Sequence, residues 1–435
     1  MGLNKFKALF WSLLFVTYLQ SQNKVVDSLI ATGNHLLENK QYAAAIACLD
    51  SALDWEPANQ RALLSLAKVN SGMKDLNAAF LLYNKLVGLD SNNNVYLYNR
   101  ASILSQLFKY PEAIKDYSIL IARQKNDTNA IFERAVAYSE INSFEMALAD
   151  YQRVMLLDPN FEGLYYNRAF LEAEHQQYKA ALDDYSMAIE KNKSDTEAYV
   201  QRAFVKIELG MYKEALADCE FVLQNSPNHL EALLHRASAY AHLNQLNESL
   251  LDLNKALLID PKRAEVYMDR AYLYLDLNKT KLAILDFNTA VALDSNFVEA
   301  YIGRAYAFEN NKQYHKAIAD YTKCIKLDSL NEQYYNFRGL AYLENKEYRL
   351  ALLDFNKAIE HNAEDPELFY NRAQCFKVLK KYDDSINDYG KAIALAPAEA
   401  LFYIERAKAH LAKGDKVSYE NDMAKAKEMD NANKK

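Results

Sequence analysis

Residues 165–185 read YYNRAFLEAEHQQYKAALDDY, and the placement of one arginine in that stretch decides the fold. Arg168 stands on an otherwise apolar helical face, and Asp184 follows it sixteen residues later. Along the chain the arginine recurs at a constant interval of 34, as Arg100, Arg134, Arg168, Arg202, Arg236, Arg270, Arg304, Arg338, Arg372 and Arg406. Alanine follows nine of them and Gly339 follows Arg338, so the interval belongs to a whole pattern and not to one residue type. A fixed period of this size marks a stacked repeat architecture, in which each unit buries its apolar face against the next. Extending the frame backwards gives twelve units of 34 residues, starting at residues 26, 60, 94, 128, 162, 196, 230, 264, 298, 332, 366 and 400. They fill residues 26–433 and leave no room there for a separate catalytic domain.

Within a unit, apolar or small residues recur at positions 4, 8 and 11 and again at 20, 24 and 27. Spacings of three and four mark two amphipathic helices. In unit five they are Tyr165 and Ala169, then Ala181, Tyr185 and Ala188. The prolines agree. Pro57, Pro159, Pro227, Pro261 and Pro397 fall at position 32, between units, while Pro366 opens a first helix and Pro111 a second, where a missing N–H costs nothing. The turn inside a unit is written with Asn, Lys or Gln, as in ENKQY, LNKTK, NNKQY and ENKEY, and Asn is expected to supply the left-handed residue that ends the first helix. The predicted fold is all-α, a superhelical α-α solenoid of about twelve helix-turn-helix repeats.

With Ala or Gly at position 8, an aromatic at 11, Ala at 20, an aromatic at 24, Ala at 27 and Pro at 32, the unit resembles the tetratricopeptide repeat. Unit eight, AEVYMDRAYLYLDLNKTKLAILDFNTAVALDSNF, carries Tyr267, Ala271, Tyr274, Ala283, Phe287 and Ala290 in those places, with Ser295 where Pro is usual. The resemblance covers residues 26–433. It implies a solenoid that binds proteins or peptides, without saying which.

Every unit from the third to the twelfth has an Asp sixteen residues after its Arg: Asp116, Asp150, Asp184, Asp218, Asp252, Asp286, Asp320, Asp354, Asp388 and Asp422. Units one and two lack both members, holding Thr32 with Cys48 and Leu66 with Leu82. Joint presence and joint loss argue that the two residues meet. Position sums for facing residues of an antiparallel helix pair place Arg and Asp opposite one another within a unit. Arg168–Asp184 and Arg270–Asp286 are therefore expected to be structural clips, because a guanidinium grips a carboxylate with two parallel hydrogen bonds.

The chain opens MGLNKFKALFWSLLFVTYLQSQNK, with Lys5 and Lys7 before an apolar run from Ala8 to Leu19 and then small polar residues. This is the layout of a secretory signal peptide over residues 1–21, and it predicts an exported protein of the periplasm or cell surface. The run of 12 residues is shorter than the ~20 a spanning helix needs, so a membrane anchor through residues 8–19, if this segment stays uncleaved, is the alternative. With 51 Lys+Arg against 58 Asp+Glu the net charge is -7, which offers a nucleic-acid backbone no electrostatic footprint. No Gly cluster cradles phosphate, and the eight histidines share no metal-ligand spacing. Cys48, Cys219, Cys324 and Cys375 lie in units too far apart to bridge, so they read as reduced packing residues. No catalytic residue, metal, cofactor or small-molecule substrate is expected.

The function that remains is a non-catalytic scaffold holding a protein or peptide in the concave groove lined by first helices. Position 5 supplies Tyr98, Phe132 and Tyr166, and position 9 supplies Phe170, Phe204, Tyr272 and Tyr306. Acids flank them at positions 2 and 13, including Glu231, Glu265, Glu174 and Glu208. Aromatics give large contact area, and acids favour a segment carrying Lys or Arg beside apolar anchors. An RNA-binding helical repeat is the alternative, and it would need basic groove residues instead.

Overall fold

The computed structural model describes residues 22–432. The signal-like segment at residues 1–21 lies outside them. Among the described residues there are twenty-four helices and no strand, two helices to each 34-residue unit. The chain is thus an all-α helix-turn-helix solenoid, and ten of its first helices begin on the residue that opens a unit, from Gln60 to Ala400. Unit five departs from this. Its first helix, Leu164–Glu174, starts two residues late because Gly163 takes a left-handed φ of 76° and holds the turn before it out of the helix. The repeat tract divides into two compact bodies, one ending at Gly210 and the other starting at Met211, inside the turn of unit six.

Each helix boundary has a local cause. The first helices of units two, three, four, six, ten and eleven are capped by Asn59, Asn93, Asp127, Asp195, Asn331 and Asp365, whose side chains accept from backbone N–H groups one turn in. Ends of first helices use the backbone instead. Position 15 of every unit has positive φ: ten non-glycine residues from Lys40 to Lys380, together with Gly210 and Gly414. The next N–H then reaches back five residues, as Gln41 to Leu36 O at 2.8 Å and Lys279 to Tyr274 O at 2.7 Å, closing a Schellman turn. In ENKQY, NNKQY and ENKEY the left-handed residue is Lys40, Lys312 or Lys346, one place after the expected Asn; only LNKTK uses its Asn278. Hydrogen bonding fixes the count of residues in the turn, and the side chain at that place only has to tolerate it.

Small residues let the helices of a unit close on a single ring. In unit eight Ala271, Ala283 and Ala290 surround Phe287, and all four are fully buried. Beside that core lies the clip. Arg270 Nε and Nη2 donate to Asp286 Oδ2 and Oδ1 at 2.7 and 2.8 Å, a fork across the two helices of the unit. The same fork joins Arg100 to Asp116, Arg134 to Asp150 and Arg168 to Asp184 in the first body. In the second body it recurs at Arg236, Arg304, Arg338, Arg372 and Arg406. Sequence spacing did not disclose the third arm. Nη1 of six of these arginines turns back to the second helix of the preceding unit, sixteen residues earlier: Arg100 to Asn84, Arg134 to Ser118, Arg270 to Asn254, Arg304 to Asn288, Arg338 to Thr322 and Arg372 to Asn356, all within 3.0 Å. One side chain therefore ties three helices and two units. Arg168 meets Met155 Sδ instead.

Unit two shows what replaces the clip, since Leu66 and Leu82 pack together in one apolar cluster. Asp184 is 5% exposed, so Arg168→Ala strands a buried carboxylate and is expected to cost ~3 kcal/mol. The double variant Arg168→Leu/Asp184→Leu copies unit two and should cost much less. Thermal unfolding of the two variants checks this, and equal losses would refute the clip.

Candidate inner surface of the solenoid

Within each body, successive first helices touch one another, as in units three to six and again in units eight and nine, and they lie closer together than successive second helices do. First helices therefore form the inner surface. Their positions 2, 5, 6, 9, 12 and 13 point into it.

The two aromatic rows differ in what they touch. Rings at position 5 are half-buried and stand edge-on against the core ring of their own unit: Tyr98 on Tyr117 at 5.9 Å, Phe132 on Tyr151 at 5.8 Å, Tyr166 on Tyr185 at 5.7 Å. Phe132 also meets Phe161 at 4.8 Å. Position 9 is more open. Phe170, Tyr272 and Tyr306 are 45%, 39% and 52% exposed, while Phe204 is half-buried and stands edge-to-face with Tyr178, ring centres 6.3 Å apart. Position 5 thus serves the core with one edge and the surface with the other, and position 9 supplies the more open rings, of which Tyr272 also stands edge-on against the core ring Phe287 at 5.3 Å.

Among the flanking acids, Glu174, Glu208 and Glu265 are exposed. Glu231 is half-buried and held by Arg263 at 2.8 Å. The acid character does not run the length of the second body. In units ten to twelve the inner positions carry a buried amide pair, Asn371 Nδ2 donating to Asn336 Oδ1 at 3.0 Å. Beside it Glu405 accepts from Lys377, from Lys408 at 2.6 Å and from Gln374 at 3.2 Å. The amide pair stands at positions 5 and 6, and the Glu405 cluster at positions 6, 9 and 12, so amides and lysines here occupy places that are aromatic in other units.

Glu172 is a buried carboxyl outside the predicted surface residues. At position 11, Arg270, Arg304, Arg338 and Arg372 have a ring beneath the guanidinium, Tyr274, Phe308, Tyr342 and Phe376. Unit five has Glu172 there, 6% exposed, with Oε2 lacking a hydrogen-bond partner. Burial, and then the Asp184 carboxylate, push Glu172 up to about 7, against the pull of Arg168. The absent aromatic was the signal available in sequence. No group of His, Cys, Asp and Glu able to hold a metal occurs among the described residues.

Tetratricopeptide repeat models match residues 30–94, 206–271, 264–297, 298–329 and 336–400, which together exceed half of the chain. No curated protein matches the sequence. Among solved structures, the chain is similar to a tetratricopeptide repeat protein from Parabacteroides merdae, with 20% identity over 57% of this chain and 99% of that one and a TM-score of 0.47. It is similar also to MamA, 25% identical over 39% and 92% of the two chains with a TM-score of 0.37. YrrB, described as having an unusual peptide-binding site, is 20% identical over 41% and 91% with a TM-score of 0.35.

The Glu172 carboxyl yields a pH prediction. Its folded pKa of about 7 exceeds the ordinary 4.5, so the stability it contributes is complete below about pH 4.5 and is lost as pH rises through 7. Glu172→Gln keeps the neutral form at every pH. Relative to wild type it should gain on the order of 3 kcal/mol between pH 4.5 and pH 8. Urea unfolding of both proteins at the two pH values measures the difference, and parallel pH dependence would remove the assignment.

Proposed function

The chain belongs to the tetratricopeptide repeat family, and from that membership we propose that it is an exported, non-catalytic scaffold binding a protein segment on its inner surface. The observation that carries this reading is the row of open rings, Phe170 in the first body and Tyr272 and Tyr306 in the second, each flanked by carboxylates. Exposed aromatic side chains offer large, nearly rigid contact area and dominate the energetics of many interfaces. Carboxylates beside them favour a segment with Lys or Arg next to apolar anchors and reject an acidic one. Export rests on Lys5, Lys7 and the apolar run at residues 8–19.

Two measurements test the reading. Intact-mass analysis of the natively produced protein should find a chain beginning near Gln22; Met1 retained in a cytosolic fraction would count against export. For the surface, a partner crosslinked to the protein in the envelope fraction is isolated and its affinity measured. Phe170→Ala and Tyr306→Ala, at exposed rings, are expected to weaken that affinity about ten-fold each while changing stability by no more than about 0.5 kcal/mol. Tyr166→Ala removes a ring packed on Tyr185 and should cost about 2 kcal/mol of stability. Unchanged affinity in both exposed-ring variants would sink the scaffold surface at these residues.

A further inference from the structure

The first helix of unit eight, Ala264–Asp276, carries Glu265, Asp269, Tyr272 and Asp276 at intervals of four, three and four. On a helix of 3.6 residues per turn these form one stripe, and it lies on the inner surface. Glu265 and Asp269 are like charges one turn apart, an arrangement that works against the helix. Unlike Glu231, which Arg263 neutralises, none of the three carboxylates has an ion-pair or hydrogen-bond partner among the described residues. Asp269 is exposed to water, yet desolvation by neighbouring protein, and then the Glu265 carboxylate, push it up to about 6. Its negative charge is uncompensated.

Facing this stripe, the wall of unit seven is cut away. Position 9 is aromatic at Phe170, Phe204, Tyr272 and Tyr306 but is Ser238 in unit seven, and position 12 there is Ala241. Their small side chains leave a notch of about 250 Å³, floored by Ala237, Leu253 and Leu273, with Tyr272 as its wall and Asp269 and Asp276 beside that wall. Tyr272 is held in place. Its ring stands against Phe287 at 5.3 Å, and its hydroxyl lies where a Cβ on Gly303 would come within 2.8 Å. The remaining face of the ring is therefore presented to the notch already fixed.

We propose that this notch between the first helices of units seven and eight binds a single arginine side chain of the bound protein segment. Three requirements of that side chain are met together. An apolar floor takes the methylene stem, the Tyr272 ring takes the flat guanidinium, and Asp269, with the Asp276 carboxylate adding its charge, accepts its forked N–H groups. Lysine, a compact and strongly hydrated charge, uses the ring and the fork less well. The inference rests on the reading of the inner surface as a binding face and names the residue that face selects.

Calorimetry on the intact chain with acetyl-arginine amide tests it, with acetyl-lysine amide and acetyl-glutamine amide as comparisons. Saturable binding in roughly the millimolar range is expected, at least about ten-fold tighter for arginine than for glutamine and also tighter than for lysine. Asp269→Asn should weaken it about five-fold or more, and Ser238→Phe, which fills the notch, should abolish it. Asp269→Asn removes a repulsion and leaves the helix intact, so it decides the matter even where Ser238→Phe perturbs folding. Equal affinity for the three amides, or an Asp269→Asn protein that binds as wild type does, overturns the proposal. If the amides fail while partner binding still depends on Phe170 and Tyr306, the notch is lost and the binding surface stands. Arginine binding in a chain whose partner ignores those rings gives the reverse.

Discussion

A carboxylate shut away from water stays charged only if a cation is delivered to it in the same folding step, and most of this solenoid is arranged around that requirement. Asp116, Asp150, Asp184, Asp252, Asp286, Asp320, Asp354, Asp388 and Asp422 are all buried, and each receives a fork from the arginine on the other helix of its unit. Desolvation makes such a pair a poor source of net stability but a strict source of register, because a helix slipped by one residue strands both charges. The Nη1 arm extends the same constraint across the unit boundary. Repeat stacking is ordinarily a sum of nearest-neighbour contacts; here one guanidinium belongs to both the unit and its interface, so forming a unit also positions its neighbour.

That rigidity is complemented by turns that do not depend on side chains. A left-handed residue at position 15 of all twelve units ends the first helix, and residues as different as Phe108, Asn244 and Lys346 occupy it. Non-glycine residues accept some strain there, which the repeated Schellman closure and the packed alanines below it offset. With turn and clip both set by the core side, the exposed inner positions of the first helices carry little structural duty. They vary accordingly: aromatic and acidic in several units, amide- and lysine-rich in units ten to twelve, and cut away at Ser238 and Ala241.

Glu172 marks the place where the two roles overlap. It occupies a position that the neighbouring pattern reserves for a ring packed on the arginine, and it brings a second buried carboxyl to the Arg168–Asp184 pair. Burial first, and then the Asp184 carboxylate that already holds Arg168, keep the proton on Glu172 near neutral pH.

The sequence alone determined the period, the two helices per unit, the place of every proline and the Arg–Asp partnership, because each follows from spacing along one chain and from residues that appear and vanish together. It also placed the candidate groove residues on first helices. Tertiary structure decided what those residues touch. Position 5 and position 9 are both aromatic in sequence, yet the first is half-buried against the core ring while Phe170, Tyr272 and Tyr306 at the second are the more exposed. The third arm of the arginine, the pairing of Glu231 with Arg263, the late start of unit five and the notch beside Tyr272 all depend on distances between different units. Such distances arise only when the units stack, and no spacing within a single unit records them.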